Sequence, residues 1–293
     1  MTIRCKGADM KKRIGIGYIL VYAVLILWAL TTIFPLAWSV LNSFKDKKMI
    51  YNNSFSLPAG SAFSLENYRN IFANYNILSA YRNSFIISGC VAAAVILMSG
   101  MAAYILCRYQ FRLKKLLTLL LYAGMMFPIY STIIPVMRMQ AKWGIVNSPA
   151  VGLNLLSVIL PQIAGNMSFA IIVLTAYIQT LPIELEEAAF LEGCSMFQTY
   201  FRIVFPLCKP SMVTVGIFSF LWSYNDLFTQ MFFLRTKENW AITILLNNIA
   251  SKEGVNYGAL FSSVTLIVVP ILIVYLFLNK YIIQGMTVGA VKG

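Results

Sequence analysis

Residues 187–210 read EAAFLEGCSMFQTYFRIVFPLCKP, a short acidic segment broken by one glycine and set between apolar runs long enough to cross a membrane. The spacing predicts two small helices joined at a turn. Glu184, Glu186 and Glu187 follow Pro182, and carboxylates in a first helical turn favour the positive end of the helix dipole. Gly193 takes a left-handed turn without a Cβ penalty. Ser195 and Gln198 stand at capping-box spacing, so a second helix starts directly. On a helical wheel Leu185, Ala188, Ala189 and Glu192 share one face, where paired alanines let a partner's backbone come close. An ordinary solvated loop is the alternative reading of the same residues.

The apolar runs on either side set the fold class. Of the 293 residues, 59% are hydrophobic and 11% charged, and the mean hydropathy is +0.75. Soluble globular chains carry roughly 25% charged residues. The chain therefore reads as an all-α integral membrane protein, because lipid offers backbone polar groups no partner and the runs are too long for barrel strands. The net charge of +13 comes from Lys and Arg flanking those runs, which reads as topology signals and lipid headgroup contacts and not as nucleic-acid binding. The absence of His removes imidazole metal sites, Ser-His triads and imidazole proton relays; no catalytic residue and no metal site is expected. No G-x-x-x-x-G-K-[ST] loop occurs, so any nucleotide belongs to another chain. The five cysteines are odd in number; Cys5, Cys107, Cys194 and Cys208 fall on the side read as cytoplasmic and Cys90 in a span, which argues against a disulfide framework.

A bilayer core takes about 20 helical residues, and six runs meet that length: 16–40, 85–107, 116–137, 151–178, 212–234 and 260–278. Six transmembrane helices put the N- and C-termini on the same side. The dense basic cluster Arg4, Lys6, Lys11, Lys12 and Arg13, with the short loop holding Arg108, Arg112, Lys114 and Lys115, makes that side cytoplasmic. The organisation expected is a cytoplasmic segment 1–15, a six-span domain 16–278 and a cytoplasmic tail 279–293. Within the domain, 42–82 forms an ordered extracytoplasmic loop and 180–210 a cytoplasmic one. The first run exceeds a signal-peptide core and lacks a clear cleavage site, so it is expected to be retained. Pro35 is expected to kink it, and Ser64 to cap a short helix over 67–72. Small residues at Ala92, Ala93, Ala94, Gly100, Ala102 and Ala103 predict close packing of the second run. Pro128 and Pro135, with Tyr130, Ser131 and Thr132 between them, suit either a broken helix in a cavity wall or a kinked helix that merely packs. Pro161, Gln162, Gly165 and Asn166 interrupt the fourth run at membrane depth.

Asp226 lies within the fifth run, in FLWSYNDLFTQ. An ionised Asp at the bilayer centre costs about 2.5–3.5 kcal/mol on insertion scales, so it should face protein or water. Helical spacing puts Trp222, Asn225 or Asp226, and Thr229 on one face, an aromatic platform beside hydrogen-bonding groups. That combination suits a sugar, whose ring face stacks while its hydroxyls need partners. The competing reading bonds Asn225 and Asp226 to neighbouring helices or sets them near outer headgroups.

These residues carry a family resemblance. Glu187-Ala188-Ala189, three residues, Gly193, nine residues, Ile203, one residue, then Phe205 and Pro206 resemble the EAA loop of the membrane subunits (permeases) of bacterial ATP-binding-cassette importers. Pro210 also fits. Glu192 where the family often has Asp, and Phe205 where it usually has Leu, are mild departures. The ending GMTVGAVKG and the Trp222, Asn225 region resemble the maltose-type carbohydrate subfamily. The resemblance implies a second, homologous permease subunit, an ATP-binding-cassette ATPase dimer that holds ATP and Mg, and an extracytoplasmic sugar-binding protein. It implies no cofactor on this chain, which acts in transport and not as an enzyme. It gives Glu187, Ala188, Ala189 and Gly193 the role of a coupling helix docked in the ATPase, with Pro206 re-entering the membrane. The alternative is an ion-gradient-driven secondary sugar transporter with Asp226 as ion ligand or proton acceptor, which leaves the acidic loop unexplained. A membrane hydrolase lacks a nucleophile and base pair.

Overall fold

The computed structural model describes residues 16–60, 63–146, 148–253 and 256–290, the last ten by backbone alone. The expected segment 1–15 with its basic cluster and Cys5, and the end of the tail with Lys292, lie outside the described residues. Helix α1 runs Ile16–Ser43 with Pro35 inside it. The segment expected as loop 42–82 holds two further helices, α2 (Lys47–Asn52) and α3 (Glu66–Asn74). Asp46 caps α2, accepting from the Met49 amide at 2.7 Å. Ser64 is not the N-cap of α3, a position held by Leu65, but its Oγ accepts from the Glu66 amide at 3.2 Å. Lys45 is buried under this segment, and its Nζ donates to Asn42 Oδ1 at 3.1 Å and to the carbonyls of Asn53 and Ser54 at 3.3 and 2.9 Å. The ammonium's three donors all find acceptors.

Helix α4 (Ile77–Arg108) starts earlier than the apolar run suggests, because Asn76 caps it by accepting from the Ser79 amide at 3.1 Å. The third run is broken and not merely kinked. Helices α5 (Lys114–Met126) and α6 (Ile133–Lys142), joined by the 3-10 turn Ile129–Thr132, differ in direction by 96°. Pro128 ends α5 by pushing Phe127 into extended backbone, φ −77 and ψ 128. Two of the hydroxyls expected in a cavity wall serve the turn itself: Ser131 Oγ and Thr132 Oγ1 donate to the Pro128 and Ile129 carbonyls at 2.7 and 2.6 Å. Helix α7 (Val151–Ile178) keeps the expected bounds with Pro161 inside it.

The opening stretch folds as α8 (Glu184–Leu191), a turn, α9 (Met196–Thr199), a π-helical turn Tyr200–Val204 and α10 (Phe205–Leu207). The fifth run divides at Asp226 into α11 (Lys209–Asn225) and α12 (Leu227–Phe233). The expected loop 235–257 contains α13 (Ile242–Glu253), whose Ile242, Leu245, Leu246 and Ile249 bury against Ile71, Ile77 and Tyr224. Helix α14 (Tyr257–Ala290) continues past Leu278, so the tail expected from 279 is helical to Ala290.

Among the described residues four helices are long and apolar enough to cross a membrane, and the number rises to 6 if each bent pair is one span. The core lies where α4, α7 and α11 meet, around the wholly buried Val91, Val95, Val158, Leu174 and Val215. Helix α1 stands outside it. Its large apolar residues from Tyr18 to Phe34 are exposed, and its end joins α14 through Trp38, whose ring meets Phe261 edge-on at 5.0 Å. The four described cysteines are free.

Candidate functional site

The segment around Glu187 is built by local chemistry. Glu184, Glu186 and Glu187 occupy the first turn of α8. Gly193 sits at φ +84, the left-handed conformation the turn requires. The Cys194 amide closes that turn by donating to the Ala189 carbonyl at 2.9 Å. Ser195 and Gln198 then form the reciprocal capping box: the Gln198 amide donates to Ser195 Oγ at 3.4 Å and the Ser195 amide to Gln198 Oε1 at 2.8 Å. Pro206 has no N–H to continue the i→i−4 ladder, and the wider π turn directly precedes it. At Cys208 the chain bends by 79° into α11.

The rotation of α8 is fixed from outside. Arg108 at the end of α4 donates through Nε to Glu186 Oε1 at 2.8 Å and through Nη2 to the Leu181 carbonyl at 2.9 Å. Both side chains are nearly buried, 12% and 5% exposed. Breaking such a pair leaves an uncompensated buried charge. With Glu186 turned inward, Ala189 one turn on is also buried. The face drawn from the wheel is therefore corrected. Leu185, Ala188 and Glu192 are exposed, Ala189 is not, and of the paired alanines only Ala188 is open to a partner. Glu187 and Gly193 are exposed beside it, and Leu191 is 90% exposed.

A second site is a cavity of about 470 Å³ between the α5–α6 break, the middle of α7 and the α11–α12 junction. Trp222, Asn225, Asp226 and Thr229 all line it, but not as one continuous helical face. The helix stops at Asp226, which takes φ −76 and ψ 87 and becomes the N-cap of α12, its Oδ1 accepting from the Thr229 amide at 3.0 Å. Its Oδ2 accepts from Gln162 Nε2 at 3.0 Å, and Ser223 Oγ donates to Gln162 Oε1 at 2.6 Å. A carboxylate at membrane depth is thus held by a backbone amide and a side-chain amide. Asp226 bonds to a neighbouring helix through Gln162 of α7 and also lines the cavity. Asn225 Nδ2 donates to the Leu221 carbonyl of its own helix at 2.8 Å. The Trp222 ring is half exposed, and Phe169 meets it edge-on at 5.0 Å.

Sequence reasoning left Gln162 and Asn166 out of the site. They are two amides four apart on α7, hence on one helical face, and both line the cavity. Asn166 Nδ2 donates to the Gln162 carbonyl at 2.7 Å, while its Oδ1 is buried without a partner. The Asn166 side chain thus borders the cavity while one of its polar atoms is left unmet inside the wall.

Residues 95–288 match a family described as binding-protein-dependent transport system inner membrane component. The chain is 30% identical to the diacetylchitobiose uptake system permease protein of Streptomyces coelicolor over 92% of its own length and 88% of the relative's. It is 31% identical to the multiple sugar-binding transport system permease protein of Streptococcus mutans over 97% of this chain and 100% of that one. Among solved structures, a chain of a bacterial ABC transporter involved in the import of the acidic polysaccharide alginate shares its fold with a TM-score of 0.78 at 17% identity, covering 94% of this chain and 99% of that one.

Proposed function

This chain belongs to the binding-protein-dependent transport system inner membrane components, and from that membership we propose that it is a permease subunit that moves a sugar or oligosaccharide across the cytoplasmic membrane as part of an ATP-binding-cassette importer. We read six spans, taking the bent pairs α5–α6 and α9–α11 as one each, with both termini and the Glu187 segment on the cytoplasmic side, a reading supported by the basic residues that flank the first span and the loop after α4. The partners are a second homologous subunit, an ATPase dimer binding ATP and Mg, and an extracytoplasmic sugar-binding protein.

The observation that carries the coupling role is the split of α8 into two faces. Glu186 and Ala189 anchor it to this chain, and Glu187, Ala188 and Leu191 are exposed among the described residues. Closure of the ATPases on ATP draws the docked α8 and α9 with it, and the helices carry that displacement to the cavity. The effective energy is the difference in binding between inward-facing and outward-facing states, since a contact equal in both shifts nothing.

Along the pathway, Trp222 offers a ring face for stacking, and the side chains of Asn166, Asn225 and Thr229, which border the cavity, meet hydroxyls. The carbohydrate names of the relatives support that chemistry. The ion-driven reading weakens, because the matched family is one of binding-protein-dependent transport systems. Uptake of labelled oligosaccharide into vesicles separates the two. The importer requires ATP, the ATPase and a loaded binding protein, and uptake by this chain alone under an ion gradient contradicts the proposal. Asn166→Leu should lower uptake about tenfold while the complex still assembles, the scale of one lost hydrogen bond to substrate with a buried group left unmet.

A further inference from the structure

The coupling segment is joined covalently to the membrane helices at both ends, to α7 through residues 179–183 and to α11 through α10 and Cys208. A second, non-covalent kind of attachment is a stripe on α4 formed by Gly100, Tyr104 and Arg108, which recur every four residues and so share one face. Arg108 holds Glu186 and the Leu181 carbonyl. The Tyr104 ring packs on the Tyr200 ring with centroids 5.4 Å apart. At Gly100 the α4 backbone admits the Tyr200 hydroxyl, which a Cβ there would overlap. Tyr200 opens the π turn between α9 and α10 and is almost wholly buried, and its hydroxyl has no hydrogen-bond partner. Its fit against Gly100 is one of shape alone.

We infer that this stripe is the second transmission point of the importer: displacement of α8 and α9 drives α4 through Gly100, Tyr104 and Arg108 in parallel with α11. Gly100, Tyr104 and Arg108 are positioning residues, since none of them lines the cavity between α5–α6, α7 and α11–α12. The inference rests on the proposal that α8 docks the ATPase. Because α4 and α7 share the core and α7 carries Gln162 and Asn166, moving α4 together with α7 and α11 shifts both walls of the cavity as a unit.

The shape fit supplies its own suppressor. Gly100→Ala places a methyl on the Tyr200 hydroxyl, whereas Tyr200→Phe removes that oxygen and leaves the nearest ring carbon at an ordinary 3.6 Å; the other neighbour, Met212 Cε at 3.0 Å, is a flexible side-chain end. ATP hydrolysis by the reconstituted importer, with and without loaded binding protein, is compared for wild type, Gly100→Ala, Gly100→Ala with Tyr200→Phe, and Glu187→Lys. Gly100→Ala should lose about tenfold of the stimulation, within the range usual for coupling between sites, while the ATPase co-purifies in wild-type amount. The double variant should recover it. Undiminished stimulation in Gly100→Ala, a double variant as defective as the single, or loss of the ATPase from the purified complex overturns the inference. If Glu187→Lys keeps full stimulation, the docking proposal fails; if it loses stimulation while Gly100→Ala does not, only the α4 attachment fails.

Discussion

Glu186 and Glu187 are adjacent and chemically alike, and they face opposite ways. Arg108 claims the first, which frees the second, and the pair lies 78 residues apart in the chain. No spacing rule within the segment reveals it. Gly193 is different, because its requirement is local and was readable as a turn. At φ +84 Gly193→Ala should cost about 1–2 kcal/mol in the left-handed region, with open space for the methyl, whereas Gly193→Pro cannot take that φ at all. Substrate-stimulated ATP hydrolysis should be reduced in the first and absent in the second. Asp226 offers a second test. Asp226→Ala removes the cap of α12 and the partner of Gln162, a loss of about 2–4 kcal/mol from an N-cap plus one unmet buried amide. Asp226→Asn keeps an oxygen for one of the two bonds and should lose less. Thermal unfolding of the detergent-solubilised protein ranks the pair, and equal stability of both would remove the capping explanation.

Among the elements, the ones legible in sequence carry their signals locally. Helix α7 keeps its bounds because a long apolar run has no competing cap, and α8 and α9 meet at a glycine followed by a capping box. The break at Asp226 escaped because FLWSYNDLFTQ has neither Gly nor Pro, so the helix is ended by a side chain whose preference for a cap position competes with an otherwise apolar run. Helix α13 escaped because its segment was read as a loop between spans, although Ile242, Leu245, Leu246 and Ile249 show helical spacing. The segment carrying α2 and α3 is ordered around a charge that no carboxylate neutralises. Lys45→Met should strip the part-buried carbonyls of Asn53 and Ser54 of their donor, at about 1 kcal/mol each, and expose 46–60 to protease. Burial lowers the Lys45 pKa from its usual value. The folded state therefore releases this proton at a lower pH than the unfolded state does, and stability rises as pH climbs from the folded value toward the ordinary lysine value of about 10.4. The gap in thermal midpoint between wild type and Lys45→Met should widen over that window, and a gap that narrows contradicts the burial argument.

For the molecule as a whole, the candidate spans among the described residues number four, or up to 6 if each bent pair is one span, and the all-α membrane class followed from composition and run length. The cavity did not, because it is assembled by two helix breaks, at Pro128 and Asp226, meeting the polar middle of α7. Its wall residues Trp222, Asn225, Asp226 and Thr229 were named from a helical face that the fold interrupts, yet they converge there because the cap at Asp226 turns the chain without carrying it away. Helix α1 is apolar on all sides and exposed in the single chain, which suits lipid or a neighbouring subunit and no aqueous surface. The chain belongs to a family of transport-system inner membrane components, and the proposed function gives the motion to this chain and the ATP chemistry to a partner. The most direct test is ATP hydrolysis by the complete reconstituted importer with an oligosaccharide-loaded binding protein, comparing wild type with Glu187→Lys. Stimulation should vanish in the variant while the membrane subunits remain inserted and paired; stimulation equal to wild type would contradict the assignment of the Glu187 segment as the point where the ATPase acts.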